Sequence, residues 1–223
     1  MNTMGMADAV TKQYMKENTV FADAFNFLLY NGENVILPQT LRELDTAEVV
    51  IPFTVDDKGK KQAQAVQKYR DILKMTTVMT DDKAAYVLFG VEAQTDIHYA
   101  MPVRNVIYDA LQYGRQVADI AAEHRRNKND FSGKNNGEYL SGFLKEDHIR
   151  PVITLVIHFG AEEWDGPLSL HEMMSVSDIE ILSFVENYRI HLIDPAKLTE
   201  EQLNKFSCLL YTSDAADDRI SVD

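Results

Sequence analysis

Two acidic residues, Asp71 and Glu92, are the side chains of this sequence best placed to bind a divalent cation together. They lie in two segments, 66–79 and 84–94, which are rich in β-branched, aromatic and other apolar residues and are therefore predicted to be strands. The two segments are close enough in sequence for a two-residue hairpin turn. Counting back along both strands from that turn sets Asp71 directly opposite Glu92, with Cβ atoms about 4.5–5.5 Å apart.

Two facing carboxylates repel each other and destabilise a strand pair unless something offsets the repulsion. Asp71 shares its predicted strand face with Leu73 and Met75, so it is expected to point toward the apolar side of the sheet. Hard divalent cations prefer carboxylate and carbonyl oxygens. We therefore predict that Asp71 and Glu92 bind Mg²⁺, Mn²⁺ or Ca²⁺, with the backbone carbonyl of Ala93 as a further ligand. The alternative interpretation is a pair of solvated charges at a sheet edge.

Gln94 follows Glu92 by two positions and so lies on the same face of its strand. We predict that Asp71, Glu92 and Gln94 form the catalytic set, in which the Gln94 amide orients a water molecule or a phosphate. The alternative is that this amide only forms a hydrogen bond with the backbone.

The helices and strands predicted around these residues indicate an α/β fold with a mixed sheet. Helical periodicity extends over 101–124, and the continuous apolar run 151–158 predicts a strand covered on both faces. A helix between two strands of one sheet usually makes a parallel crossover. The polar segment 125–141 is predicted to be a mobile loop. Further helices are predicted at 7–14, at 20–30 with Asn18 or Thr19 as the cap, and from 198, and further strands at 48–54 and 188–193.

The composition narrows the class of protein. The chain has 223 residues, 45% of them hydrophobic, which suits one domain with a substantial core. Neither a membrane-spanning run nor a signal peptide is recognisable, so a cytoplasmic location without a membrane partner is predicted. The formal net charge of −13 excludes a static DNA coat, which would be basic. A nucleic-acid partner should therefore be bound weakly, or through metal.

The last residues, 208–223, have the character of a translated sequencing adapter. Their letters CLLYTSDAADD match the reading of a transposon-based library adapter, and SVD fits the constant stretch after an index. We expect that the natural protein is cut short near Ser207, and resequencing of the source locus would test this. Without the tail's four acids and one arginine the net charge changes from −13 to −10. The single cysteine, Cys208, would also be lost, and with it any disulfide or Cys-ligated zinc.

The ordered motifs of this chain resemble a known family, the bacterial Rpn family of recombination-promoting, transposase-associated nucleases within the PD-(D/E)XK nuclease superfamily. The likeness covers most of 16–206, although no single motif is specific. It is carried by YRDIL at 69–73, VEAQT at 91–95, MPVR at 101–104 with Tyr108, the strand and turn at 152–160 with Trp164, and the segments 16–25 and 188–195.

The resemblance implies one nuclease-like domain over 1–207, with a PD-(D/E)XK, restriction-endonuclease-like core whose antiparallel acidic hairpin is flanked by helices. It also implies metal-dependent hydrolysis of DNA phosphodiester bonds, linked to recombination or mobile elements. Asp71, Glu92 and Gln94 match the family's Asp, Glu and Gln. Many superfamily nucleases have Lys where this chain has Gln94, and a neutral amide cannot stabilise charge as lysine does. Arg104 is predicted to contact a backbone phosphate, with a structural ion pair as the alternative.

Two other functions fit the same residues. One is a nuclease-fold interaction protein that has lost cleavage, which the acidic charge and Gln94 favour, whereas the Asp71/Glu92 pair favours the nuclease. The other is a metal-dependent esterase that acts on small substrates. A homodimer is one arrangement that would let two such sites cut both strands of a duplex.

Overall fold

The fold was analysed in a computed structural model, which describes residues 3–44, 47–50, 54–55, 61–62, 66–69, 71–80, 83–127, 131 and 133–207. The segment 208–223 lies outside the described residues, so its origin as an adapter stays a prediction. None of the helices in the described part is long and apolar enough to cross a bilayer.

The described residues form a mixed α/β fold around a five-stranded sheet, in the order β1-β6-β7-β8-β9. Two short ladders, β2–β5 and β3–β4, lie apart from this sheet. The strands are β1 Arg42–Glu43, β2 Ala47–Val50, β3 Thr54–Val55, β4 Lys61–Gln62, β5 Val66–Tyr69, β6 Ile72–Thr80, β7 Lys83–Gln94, β8 Val152–His158 and β9 His191–Ile193. The helices are α1 Thr3–Lys16, α2 Asn18–Tyr30, α3 Met101–Arg126, α4 Asn136–Ser141, α5 Ile179–Leu182 and α6 Glu200–Leu203.

The acidic hairpin has the register that the sequence predicts. β6 and β7 are antiparallel from the pair Thr80–Lys83 to the pair Ile72–Val91. β8 lies parallel to β7 on its other side, and α3 connects the two strands, as expected for a parallel crossover. The mixed sheet and its antiparallel hairpin are therefore confirmed.

The prediction of one strand over 66–79 was wrong, because the chain changes sheets near Asp71. β5 pairs with β2, whereas β6 pairs with β1 and β7. Asp71 lies in a bend just before β6, and its carboxylate accepts the backbone N–H of Ala93. A side-chain oxygen that takes a backbone donor competes with strand pairing. The ladder consequently stops at Ile72, one residue short of the predicted pairing between Asp71 and Glu92.

Helices cover both faces of the sheet. On one face, Phe25 of α2 stacks on Phe89 of β7 with ring centroids 4.3 Å apart, within a core that also contains Ile72, Val91 and Leu155. On the other face, Met101 of α3 belongs to a cluster with Val156, Trp164 and Ile190. The residues of β8 are nearly all buried, which confirms the prediction of a strand covered on both sides.

The segment 125–141, predicted to be a mobile loop, contains a helix. Asn135 and Glu138 form a reciprocal capping box at the start of α4, with the Asn135 side chain accepting the Glu138 N–H. Gly142 ends the helix in the left-handed conformation at φ 71°. The loop prediction was based on the absence of a long apolar periodic pattern in this segment. The capping hydrogen bonds stabilise a short helix without such a pattern.

Lys74 connects the sheet to the junction between α1 and α2. Its ammonium donates to the Asn18 side chain at 2.7 Å and to the backbone carbonyl of Lys16. The Asn18 side chain therefore does not cap α2, whose N-cap residue is Glu17. Lys74 itself is only 1% exposed, and burial lowers the pKa of its ammonium against the opposing effects of Glu43 and Glu17.

Lys74→Ala is expected to lower the free energy of unfolding by about 2–4 kcal/mol, since it leaves two acceptors unmet and a cavity behind. Lys74→Met, which keeps the apolar stem, is expected to lose less. Urea unfolding of both variants measures the effect, with the exposed Lys145→Ala as the control. Equal losses for Lys74→Ala and Lys145→Ala would contradict this account.

Candidate metal centre

Asp71 lies where β6 begins, with both carboxylate oxygens occupied. Its Oδ2 accepts the Ala93 N–H at 3.0 Å, and its Oδ1 lies 3.1 Å from the Lys12 ammonium of α1. Only 8% of the Asp71 side chain is exposed, compared with 35% for Lys12. The interpretation of Asp71 as a solvated edge charge is therefore wrong.

The backbone of β7 presents a second oxygen to the same place. In an extended strand, the N–H and C=O of one residue point to the same neighbouring strand. Because the Ala93 N–H points to Asp71, the Ala93 carbonyl faces that side as well. Glu92 directly precedes Ala93, and its backbone pairs with Val156 of β8. The Glu92 side chain lies outside the described part of the structure, so its role stays a prediction.

Gln94 is the last residue of β7 and is half-buried. Its backbone pairs with His158, and its carbonyl accepts the Phe159 N–H at 2.7 Å. The structure thus places Gln94 one residue beyond Ala93 at the carboxyl end of β7. The role of its amide in orienting water or phosphate stays a prediction.

Arg104 of α3 lies close enough to Asp71 to lower the pKa of that carboxyl. Its guanidinium carbon lies 5.6 Å from the centroid of the Tyr108 ring, which supports the side chain from behind. Asp71 is therefore close to Lys12 of α1 and to Arg104 of α3. The two helices lie on opposite faces of the sheet, because Met15 of α1 belongs to the core of Phe25 and Phe89, whereas Met101 of α3 belongs to the other cluster.

Lys12 is the residue that sequence reasoning missed. Lys12 lies 59 positions before Asp71, in a predicted helix to which no functional residue was assigned. No spacing rule connects the two residues. The departure at Gln94 shows that the usual lysine is absent from that position, but it does not indicate a replacement. Only the tertiary contact identifies Lys12 as a candidate replacement.

The pKa of the Asp71 carboxyl is raised by burial, and the opposing effects of Lys12, the Ala93 N–H and Arg104 do not fully offset this. At pH values between the ordinary and the raised pKa, the Asp71 carboxyl holds a proton in the native protein but has lost it in the unfolded chain. The stability of the metal-free protein relative to Asp71→Asn should therefore fall as pH rises through this interval. Urea unfolding of both proteins in chelator across pH tests this, and a relative stability that rises with pH would contradict it.

The carboxyl ends of β7 and β8 are held together by a close backbone approach. A Cβ atom on Gly160 would lie 2.6 Å from the Thr95 carbonyl oxygen and would also press on the His158 ring. The His158 Nε2 is 2.7 Å from the Glu162 carbonyl, so this nitrogen is the proton donor. Position 160 therefore fixes the strand end that carries Gln94.

Gly160→Ala is expected to lower the free energy of unfolding by about 1–3 kcal/mol, because backbone or a buried ring must move. Thermal unfolding measures this, with Gly114→Ala as the control, since a Cβ there meets no atom of the described chain within 4 Å. Equal melting temperatures for the two variants would refute the close approach.

The donor set fits a hard divalent cation. Asp71 offers a carboxylate and Ala93 offers a carbonyl on the same side, and the Lys12 ammonium occupies the position beside Asp71 that an ion would take. Among the described side chains there is no group of three or more His, Cys, Asp or Glu suited to a metal. The predicted set needs only two carboxylates, one of which belongs to Glu92.

Comparisons with known proteins give no match to a family model, to a curated protein or to a solved structure. The residues around Asp71 therefore carry the functional argument.

Proposed function

We propose that this protein is a metal-dependent DNA endonuclease with a PD-(D/E)XK core, of the Rpn recombination-promoting kind, acting in recombination or on mobile elements in the bacterial cytoplasm. The observation that supports this most is the largely buried Asp71 carboxylate, which joins the start of β6 to the Ala93 backbone beside two cationic side chains. The antiparallel acidic hairpin with a crossover helix to a parallel strand is also what that core requires.

Asp71, Glu92 and the Ala93 carbonyl would hold Mg²⁺, or Mn²⁺ or Ca²⁺ in its place. When bound, such an ion supplies Lewis acidity and lowers the pKa of water. Gln94 orients the water or the phosphate from the end of β7. Arg104 donates to a phosphate oxygen of the DNA backbone.

Lys12 supplies the positive charge that Gln94 cannot. Its ammonium already lies 3.1 Å from the carboxylate at the site. If Asp71 held an ion, that ammonium would be free to bind a phosphate oxygen and to stabilise the negative charge that develops during hydrolysis. The net charge of −13 keeps DNA binding weak apart from these local cations.

A second candidate is a nuclease-fold interaction protein that has lost cleavage. The ion pair between Lys12 and Asp71 favours this candidate, because a lysine that neutralises the carboxylate can replace the ion altogether. The two candidates differ in whether the protein binds a divalent cation and cuts DNA.

Incubation of the protein with supercoiled plasmid in Mg²⁺, in Mn²⁺ and in chelator tests the proposal. A nuclease is expected to produce nicked or linear plasmid with metal and none in chelator. Intact plasmid under all conditions, together with no heat of Mn²⁺ binding in calorimetry, would overturn the nuclease and support the interaction protein.

A further inference from the structure

A fully buried amide on α3 lacks the partners that buried polar groups normally have. Asn105 is 0% exposed, and neither its Oδ1 nor its Nδ2 has a hydrogen-bond partner in the described structure. An unpaired buried amide is energetically unfavourable, so such a group needs an explanation, and an absent ion or ligand is one.

The position of Asn105 follows from its neighbours on the buried face of α3. Asp109, one turn later, accepts a hydrogen bond from Thr154 of β8 at 2.6 Å, and Met101, one turn earlier, packs with Val156. One helical turn of four residues advances about 6 Å, close to the length of two strand residues. Counted from Asp109 at Thr154 toward the cluster of Met101, Asn105 thus lies close to the level of Val156.

These levels correspond to known positions on β7. Thr154 pairs with Gly90, and Val156 pairs with Glu92, whose backbone directly precedes Ala93. The adjacent residue Arg104 already acts electrostatically on Asp71. The turn of α3 that carries Arg104 and Asn105 therefore covers the part of the sheet where the proposed cation would bind.

We propose that Asn105 is a further residue of the divalent-cation site and supplies a neutral amide oxygen alongside Asp71, Glu92 and Ala93. An amide oxygen is a hard donor of the type that Mg²⁺ and Mn²⁺ accept. This inference rests on the proposed function, because it requires that the protein binds such an ion. Asn105 acts here as a ligand of the ion.

Two substitutions separate this role from a structural one. Asn105→Leu has a similar volume and removes the unpaired amide, so in chelator its melting temperature should rise by about 2–4 °C. Its dissociation constant for Mn²⁺ should nevertheless increase about 10–100-fold. Asn105→Asp keeps an oxygen donor but adds a buried charge, so it should melt lower than wild type in chelator and gain more from Mn²⁺.

Asp109→Asn is the matched control, because Asp109 lies on the same face and bonds Thr154 and Tyr188. It should melt lower than wild type without a change in Mn²⁺ affinity. Calorimetry with Mn²⁺ and thermal unfolding in chelator measure both quantities for all four proteins.

The outcomes distinguish this inference from the proposed function. A wild type that binds Mn²⁺ and an Asn105→Leu variant that binds it equally well would overturn the role of Asn105 alone. A wild type that binds no Mn²⁺ would overturn the cation site and the role of Asn105 together. Loss of affinity with increased thermal stability in Asn105→Leu supports the inference.

Discussion

Asp71→Asn is expected to lower the rate of plasmid cleavage at least about 1000-fold, which corresponds to a loss of about 4 kcal/mol in transition-state stabilisation. The amide still accepts the Ala93 N–H, so the start of β6 keeps its geometry. It carries no charge, however, and therefore binds a divalent cation poorly. Because burial disfavours the native carboxylate, the same variant should be at least as stable as wild type in chelator.

Glu92→Gln is expected to reduce cleavage to the same extent, since the two carboxylates act on one ion. Asp165→Asn is the matched control, because Asp165 is an exposed acid that bonds Tyr99 away from β6. Initial rates of nicking and urea unfolding of each variant provide the measurement. Substantial cleavage by a doubly substituted Asp71→Ala, Glu92→Ala protein that remains folded would refute the assignment of both residues.

Lys12→Met is expected to cut DNA about 100-fold more slowly than wild type, the usual effect of removing one positioned group that stabilises developing negative charge. Its affinity for Mn²⁺ should not fall, because the ammonium that competes with the ion for Asp71 has been removed. Slower cleavage with unimpaired metal binding distinguishes a lysine that acts on the phosphate from one that only holds Asp71.

Lys16→Met is the control for Lys12→Met, because Lys16 is an exposed lysine one turn further along α1. Cleavage kinetics at saturating Mn²⁺ and calorimetric titration separate the two effects. A Lys12→Met protein that cuts at the rate of the Lys16→Met protein would show that Lys12 has no part in hydrolysis.

The hairpin, the crossover helix and the buried parallel strand were all predictable from sequence, because each is determined by residues that are close together in the chain. The tight connection after Thr80 fixes the register of β6 and β7, and this register holds as far as the pair Ile72–Val91. The apolar run of β8 and the helical period of α3 are likewise strong local patterns.

The surroundings of Asp71 were not predictable in the same way, because side-chain contacts replace the regular pattern there. A carboxylate that takes the Ala93 N–H ends the ladder one residue early, and alternation along a strand cannot foresee this. Lys74 of β6 is also buried, which the charge of a lysine does not predict. Lys12 approaches from a distant helix, a contact that only the fold creates.

Asn105 illustrates a signal that was present in the sequence but ambiguous. Asn105, Asp109 and Gln112 recur at helical spacing and are all buried, so α3 turns polar side chains toward the sheet. A polar stripe of this kind usually indicates a solvent-exposed face. The burial of these side chains reverses that interpretation and identifies the face as one with a functional or hydrogen-bonding role.

The most direct test of a cation held between Asp71 and the end of β7 is anomalous scattering from a crystal of the protein soaked in Mn²⁺. The account predicts a Mn²⁺ peak at about 2.0–2.4 Å from an Asp71 carboxylate oxygen, with Glu92 and the Ala93 carbonyl as further ligands and with Lys12 displaced from Asp71. A crystal at saturating Mn²⁺ in which the Lys12 ammonium stays on Asp71, and no peak lies near either carboxylate, would contradict it.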